Sequence, residues 1–369
     1  MSTALAFTDD QSMILDSARA FCAEKSPIGA VRALLDGETG FDPAVWDEMV
    51  ALGWPALAIP EEHGGAGLGI GTTVPLAEAM GRALLSTPFF SVTLAAQAVL
   101  RGGTEAQQAQ WLPDLASGTI ATLALLDGGD WGAPTTTCTA TREGDALRLD
   151  GAKHFVCDAG VADAFIVWCT VDGADALLGV PRDALADDAI EAHVVIDQTK
   201  RAARVDFTGV TVPADGLLAP SKTEATLRDV RLLGAMLTAA EATGSTAACL
   251  DVIVDYLKTR KQFGQYIGSY QALKHPTVDI LCEMDSARSL IYHAATIVGD
   301  DALDDDAESA CRMAKAQASD ALAFAGDRAV QFHGGMGFTY ECDAQLFIRR
   351  GRWLGQLFGD AASHRARLS

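Results

Sequence analysis

The pattern of apolar and polar positions changes twice along the chain. In residues 1–120, apolar residues such as Trp46, Met49 and Trp54 recur at helical spacing, which predicts helices. In residues 121–220, short runs of alternating character are separated by glycine and proline, which predicts strands. In residues 221–369, long alanine- and leucine-rich stretches again have helical periodicity.

This order predicts an α+β protein that is mostly helical. We expect an N-terminal helical domain over 1–120, a middle β domain over 121–220 and a C-terminal helical bundle over 221–369. With 369 residues, of which 49% are hydrophobic, the chain can bury enough apolar surface for two or three domains.

Net charge narrows the classes of ligand. The chain carries a formal charge of −21, which excludes the broad basic surface that nucleic-acid binding requires. Coenzyme A is also polyanionic, so a site for it would need a local basic patch. The sequence offers one dense basic stretch, which is either a solvated surface or a ligand contact, and it consists of Arg349, Arg350, Arg352, Arg365 and Arg367.

Cysteine spacing and hydropathy bear on location. The eight cysteines include no C-x-x-C pair, so we expect neither a metal cluster nor a disulfide framework, and a reducing cytoplasm fits best. We find no basic leader with an apolar run and no stretch of about 18 uncharged apolar residues, so we expect no membrane span.

Three motifs carry the chemical information. The first is the glycine-rich run 59–67, which is followed by a helical segment at 78–81. The second is Arg-Lys-Gln-Phe-Gly at 260–264, and the third is Gln-Phe-His-Gly-Gly-Met-Gly-Phe at 331–338. An arginine fork suits a pyrophosphate, paired glycines let backbone N–H groups approach a ligand closely, and glutamine can bind a hydroxyl.

With these motifs in this order, the chain resembles the flavin-dependent acyl-CoA dehydrogenase family over nearly its whole length. The resemblance implies that family's fold, in which the C-terminal bundle has four helices and also forms the oligomer interface. It implies FAD as cofactor and an acyl-CoA as substrate. By resemblance, the adenosine-pyrophosphate half of an FAD held mainly by a neighbouring subunit would be gripped by Arg260, Phe263, Gln271, Gln331, Gly334 and Gly335.

The catalytic positions depart from the family pattern. Members of the family remove the substrate α-proton with a glutamate and pass a hydride from the β-carbon to the flavin. A thioester α-proton is weakly acidic, so the reaction needs a positioned carboxylate. The glutamate's two usual positions correspond here to Phe358 and Gly234, so we assign no catalytic base by resemblance.

The side that would face the flavin ring departs as well. The family's Thr-Glu-Pro-Gly-like loop reads Leu-Leu-Asp-Gly-Gly at 125–129. The family's Trp-Ile-Thr/Ser segment has Phe155 and Cys157 at its aromatic and hydroxyl positions. A thiol is a weaker hydrogen-bond donor than a hydroxyl.

These losses favour one hypothesis. The residues that would bind the FAD of a neighbouring subunit are present, whereas the catalytic glutamate and the residues that would face the flavin ring are replaced. We therefore expect an accessory subunit of a heteromeric, α2β2-like acyl-CoA dehydrogenase, whose paralogous partner supplies the glutamate. An acceptor resembling electron-transfer flavoprotein is a further expected partner.

The sequence leaves open three other hypotheses about the function of the chain. A homotetramer could use a relocated base at Asp360, Glu241 or Asp127, although Glu241 also suits a structural ion pair and Asp360 a helix cap. A flavin monooxygenase on the same fold would not need the glutamate. A purely structural subunit would have no use for the Arg260 and Gln331 motifs.

Overall fold

The N-terminal part of the protein is helical. The computed structural model describes residues 9–368, and their side chains from residue 12 onward. The helices are α1 (Asp9–Lys25), α2 (Ile28–Ala33), α3 (Pro43–Ala51), α4 (Thr73–Arg82), α5 (Phe89–Gly102) and α6 (Glu105–Ala116). Local sequence explains two starts: Asp42 caps α3 ahead of Pro43, and Thr104 and Gln107 form a capping box at α6.

The middle part is built from strands. They are β1 (Ala121–Ala124), β2 (Thr139–Glu143), β3 (Ala146–Asp150), β4 (Ala152–Cys157), β5 (Ala164–Val171), β6 (Ala174–Pro181), β7 (Ile190–Ala192), β8 (Ala202–Asp206) and β9 (Thr211–Pro213). One sheet has the order β1-β5-β2-β3-β9, with β6 also paired to β5, and a second has the order β4-β8-β7. The alternating burial of β3 matches the period of two expected for a strand with one solvated face.

The C-terminal part returns to helices. They are α7 (Thr223–Thr259), α8 (Gln271–Ile297), α9 (Asp305–His333), α10 (Ala344–Leu354) and α11 (Ala361–Arg365), with a hairpin of β10 (Lys261–Gln262) and β11 (Gln265–Tyr266) between α7 and α8. Helix α9 packs against α7, α8 and α10. The predicted fold class is confirmed. The boundaries proposed at residues 120 and 220 stay predictions, and residues 1–8 of the first predicted domain lie outside the described part.

Two glycines allow α4 and α7 to touch through their backbones. A Cβ atom at Gly81 would lie 2.0 Å from the carbonyl oxygen of Glu241, and one at Gly244 would lie 1.9 Å from that of Glu78. Any larger residue would push the helices apart. This contact fixes the segment of α7 that carries both Gly234 and Glu241.

Among the described helices, one segment has the length and composition needed to span a membrane. It is Pro220–Thr259, and 72% of its most apolar window is buried inside the fold. That burial is what a central helix of a bundle requires.

Candidate functional site

A surface groove brings together most of the residues predicted to hold the dinucleotide. It lies where the end of α7, the β10–β11 hairpin, the start of α8 and the end of α9 meet, and it encloses about 980 Å³. Arg260, Phe263, Gly334 and Gly335 all line it. Gln271 and Gln331 are exposed neighbours of the lining residues Tyr270 and Phe332.

The groove offers groups that are free to meet a ligand. Arg260 is exposed and, within residues 9–368, forms no ion pair, while the Phe263 side chain is 92% exposed. Gly334 has φ +60°, a conformation that favours glycine, and ends α9. A Cβ atom at Gly334 or Gly335 would have no neighbour within 4 Å, so the space above both residues is open. The groove therefore fits an aromatic ring joined to an anion.

His333 and Tyr256 form a rigid wall of this groove. Their rings stack with centroids 4.0 Å apart, and the Nδ1 atom of His333 lies 2.7 Å from the carbonyl oxygen of Ala329. His333 is thus held in place by its own helix and by α7. The structure gives it a packing contact rather than a free imidazole.

A second, buried cavity contains the two expected base positions. It has a volume of about 730 Å³ between α5, α7, β4 and the segment 353–358, and Gly234 and Phe358 both line it. A Cβ atom at Gly234 would lie 2.7 Å from three atoms of the Phe358 ring. Phe358 also packs on Trp131, with ring centroids 4.8 Å apart. An aromatic ring therefore fills the space between the two positions.

The cavity nevertheless contains two carboxyl groups. Asp158 follows β4 and accepts a hydrogen bond of 2.6 Å from the Ser91 hydroxyl. The pKa of Asp158 is raised to about 6, mainly because the carboxyl group is buried; the hydrogen bond from Ser91 and the charge of Lys200 lower it, and the charge of Glu241 adds a smaller increase. Sequence inspection did not single out Asp158, and its one signal was an acidic residue directly after Cys157.

Glu241, a predicted candidate for a relocated base, belongs to a buried charge network. One of its oxygens, Oε1, pairs with Arg350 and lies 2.7 Å from the Lys200 ammonium. Arg350 is fully buried and also binds Asp197 and Thr199. The other oxygen, Oε2, is buried without a hydrogen-bond partner among the described residues. Two cations thus hold the Glu241 carboxyl group in a buried ion-pair network.

The other two candidate bases have local structural contacts. Asp360 caps α11 by accepting a hydrogen bond of 2.8 Å from the Ser363 backbone N–H, and that bond lowers the pKa of Asp360. Asp127 pairs with the buried Lys153 and accepts hydrogen bonds from Thr137. Although burial opposes it, these bonds hold the pKa of Asp127 below its ordinary range. Neither carboxyl group lines the cavity.

The wall formed by β4 is apolar where the resemblance expects a hydroxyl group. Cys157 lines the cavity, and burial raises the pKa of its thiol to about 12, so it is uncharged at neutral pH. Phe155 is 36% exposed and packs between His193 and Trp353, with centroids 4.9 and 6.4 Å away.

The dense basic stretch of the sequence does not form one surface patch. Arg350 is fully buried, Arg365 pairs with Asp320, and Arg349 lies over the Tyr340 ring. Among residues 9–368, no group of three or more His, Cys, Asp or Glu side chains is arranged to hold a metal ion.

Comparison with known proteins gives consistent matches over the whole chain. Residues 8–119 match the model of the acyl-CoA dehydrogenase N-terminal domain, and residues 226–369 match that of the C-terminal domain. The chain is 30% identical over 367 residues to the acyl-CoA dehydrogenase IpdE2 of Mycolicibacterium smegmatis, covering 98% of both chains. It is 30% identical to the human mitochondrial short-chain specific acyl-CoA dehydrogenase over 93% of this chain and 85% of that protein.

Solved structures agree on the fold. A variant of the Tcur3481-Tcur3483 steroid ACAD superposes with a TM-score of 0.85 at 27% identity, over 98% of this chain and 96% of that one. The ChsE4-ChsE5 complex from Mycobacterium tuberculosis has a chain that superposes with a TM-score of 0.88 at 23% identity, over 99% and 98% of the two chains.

Proposed function

The chain belongs to the acyl-CoA dehydrogenase family and is an oxidoreductase of that type, and from this premise we propose that it is the accessory subunit of a heteromeric, α2β2-like enzyme. The complex would carry out flavin-dependent α,β-dehydrogenation of an acyl-CoA thioester. A paralogous partner would supply the catalytic glutamate.

One observation carries the proposal: the Phe358 ring occupies the space over Gly234, so both usual base positions are apolar and mutually packed. Without a carboxylate at either position, abstraction of a thioester α-proton lacks its general base. A chain of the ChsE4-ChsE5 complex has the same fold, and that complex is a precedent for pairing two different chains.

FAD is the cofactor that the groove supports. We propose that Arg260 binds the pyrophosphate and that Phe263 packs on the adenosine half. Gly334 and Gly335 would admit the ligand to the backbone, while Gln271 and Gln331 would bind hydroxyl groups at the rim. FAD bound in this way would supply the hydride acceptor of the reaction, and this chain's residues would position its tail.

An electron acceptor and a cellular location complete the proposed function. We propose an acceptor resembling electron-transfer flavoprotein, since reduced flavin must pass its electrons on. We also propose a cytoplasmic location, which is supported by eight free cysteines with no disulfide.

The decisive experiment expresses the chain alone and together with a paralogue that carries the missing glutamate. We expect full FAD absorbance and acyl-CoA-dependent reduction of an artificial electron acceptor only for the co-expressed complex. A yellow, fully loaded and active lone chain would refute the accessory role.

A self-sufficient enzyme is the second candidate, favoured by the presence of Asp158 in the cavity with a pKa of about 6. If the lone chain turns over, Asp158→Asn and Glu241→Gln variants distinguish the two cavity carboxylates. Loss of turnover in Asp158→Asn alone would assign it as the base.

A further inference from the structure

The cavity has an apolar end and a polar end along the same face of α7. Glu241 lies seven residues after Gly234, which places it on the same helix face and about 10 Å further along the helix axis. At the Gly234 end, the wall is formed by the stacked rings of Trp131 and Phe358. At the other end, the Lys200 ammonium lies 2.7 Å from Oε1 of Glu241.

Two oxygen atoms in the cavity wall are buried and have no hydrogen-bond partner among the described residues. They are Oε2 of Glu241, a residue with 0% exposure, and Oγ1 of Thr87, a residue with 5% exposure. A buried polar atom without a partner costs free energy that a suitable group of a ligand would recover. The two atoms therefore indicate which group a ligand of this cavity would carry.

Helix α5 brings Thr87 to the polar end of the cavity. Thr87 stands two residues before this helix, and the ring of Phe90 in its first turn lies 5.3 Å from the Lys200 ammonium. The same ammonium pairs with Glu241. All four residues line the cavity, so the two unpartnered oxygens belong to one polar region around Lys200.

The other hydroxyl groups of the cavity already have partners. Those of Thr238 and Thr122 each donate to a backbone carbonyl oxygen at 2.8 Å. That of Ser91 donates to the Asp158 carboxyl group at 2.6 Å. These groups need no ligand, so recognition falls to the two unpartnered oxygens.

Charge and hydrogen-bonding capacity together select a neutral alcohol. An anion would meet the carboxyl groups of Asp158 and Glu241, and a cation would be repelled by Lys200 and Arg350, which already pair with Oε1. An ion-paired carboxylate accepts hydrogen bonds and cannot donate them, whereas a threonine hydroxyl does both. An alcohol can donate to Oε2 while its oxygen accepts from Thr87. A ketone has no proton to donate, so it can satisfy only the threonine.

We propose that Thr87 and Glu241 recognise the hydroxyl group of a neutral molecule whose apolar body packs against Trp131 and Phe358. Ligand cavities commonly have this composition, with apolar walls and a few polar groups that fix the orientation of the ligand. Two sources share this chemistry: a free alcohol, and the hydroxylated acyl group of a thioester. Only the second source rests on the proposed function.

The test titrates the full chain calorimetrically, in the assembly that it forms in solution, with 4-phenylcyclohexanol and 4-phenylcyclohexanone. We expect the alcohol to bind about tenfold or more tighter than the ketone, as for one additional hydrogen bond to a charged group. Thr87→Val should weaken the binding of both compounds by about three- to tenfold, since each accepts from this hydroxyl. The matched control is Thr238→Val, which removes a hydroxyl of the same cavity that is bonded to its own helix and should change neither affinity.

A variant of the carboxyl group tests the donor part of the proposal. Glu241→Gln keeps the shape of the side chain and adds an amide N–H, which can donate to a ketone oxygen. The preference for the alcohol over the ketone should therefore be lost. If Glu241→Gln does not fold, because Arg350 loses its ion pair, Thr87→Val decides, since it replaces a hydroxyl by a methyl group of similar size.

Several outcomes would refute the proposal. Equal binding of the two compounds by the parent protein, binding of neither, or the same loss in Thr238→Val as in Thr87→Val would each do so. Because Oγ1 of Thr87 has no partner in the described part of the chain, its removal should not lower the thermal midpoint. A lower midpoint with unchanged affinities would give this hydroxyl a structural role only.

Competition distinguishes the two sources. Displacement of the phenylcyclohexanol by the CoA thioester of 4-hydroxycyclohexanecarboxylic acid, but not by that of cyclohexanecarboxylic acid, would identify a hydroxylated acyl group. If neither thioester displaces it, the ligand is a free alcohol, and equal displacement by both would refute selection by the hydroxyl. Because the alcohol titration needs neither FAD nor turnover nor a partner subunit, it can fail while the accessory role stands, and the reverse also holds.

Discussion

The groove and the cavity treat their polar groups in opposite ways. In the groove, Arg260 is exposed and has no ion pair with any side chain that the structure describes, and Phe263 projects into open space. In the cavity, Glu241 is held by Arg350 and Lys200, and Phe358 fills the space over Gly234. Exposed groups without an ion pair are available to a ligand, whereas buried charges that are paired with one another mainly maintain the packing of the fold. The difference teaches that the position of a charged group in the fold, exposed or buried, decides whether it is available to a ligand or is used in packing.

The largest expected effect tests whether the cavity charges are structural. Arg350→Met would leave Asp197 buried without its paired cation and Glu241 with Lys200 alone, which costs about 3–5 kcal/mol of unfolding free energy. Denaturant unfolding measures this cost. Arg365→Met removes an exposed arginine paired with Asp320 and should cost at most about 1 kcal/mol. If the two variants unfold at the same denaturant concentration, the buried charge network of the cavity is not needed for stability, and the contrast with the exposed groove is lost.

The next prediction concerns the groove. Arg260→Gln should weaken FAD binding by the co-expressed complex by about 10- to 100-fold, because a charge-assisted hydrogen bond is lost. Stability should not change, since Arg260 is exposed and has no ion-pair partner in the described part of the chain. Flavin release on dilution measures the effect. The control is Lys258→Gln, an exposed cation two residues earlier; if it releases as much flavin, the contribution of Arg260 is only general charge.

Contact between Gly234 and Phe358 can be tested by a double-mutant cycle. Gly234→Ala places a methyl group 2.7 Å from the Phe358 ring and should cost about 1–3 kcal/mol through overpacking. Phe358→Leu should cost less, and the double variant should recover part of the first loss. Strictly additive costs in denaturant unfolding would show that the ring moves away freely, and the cavity would then be open between the base positions.

The smallest effect is a pH dependence. The pKa of Asp158 rises from an ordinary 3.8 to about 6 on folding, so between these values the folded state binds more protons and stability falls as pH rises. Asp158→Asn removes this pH-dependent loss of stability. Between about pH 4 and pH 7, the free energy of unfolding of the variant should therefore rise by roughly 1–2 kcal/mol relative to the parent protein. Thermal midpoints across this range measure it. If the thermal midpoints of the parent protein and of Asp158→Asn change with pH in the same way, the pKa of Asp158 is not raised by folding, and its carboxyl group is solvated like the groove residues.

Much of the fold could be predicted because it depends on local patterns. Helical periodicity around Trp46 and in the long C-terminal stretches predicts helices. The short alternating runs in residues 121–220 predict strands. The motifs at 260–264 and 331–338 meet at one groove because each ends or follows a long helix. Gln271 and Gln331 lie at its rim and not in its lining, a distinction of a few ångströms that sequence spacing does not contain.

The sequence by itself determined the order of helical and β segments, the family, and the absence of glutamate at Phe358 and Gly234. Only the tertiary structure decided that those two residues pack together, that Arg350 is buried while Arg352 is exposed, and that Asp158 shares the cavity. Periodicity is a property of neighbours along the chain. Burial, pairing and repulsion between charges depend on segments far apart in sequence, and only folding sets their distances.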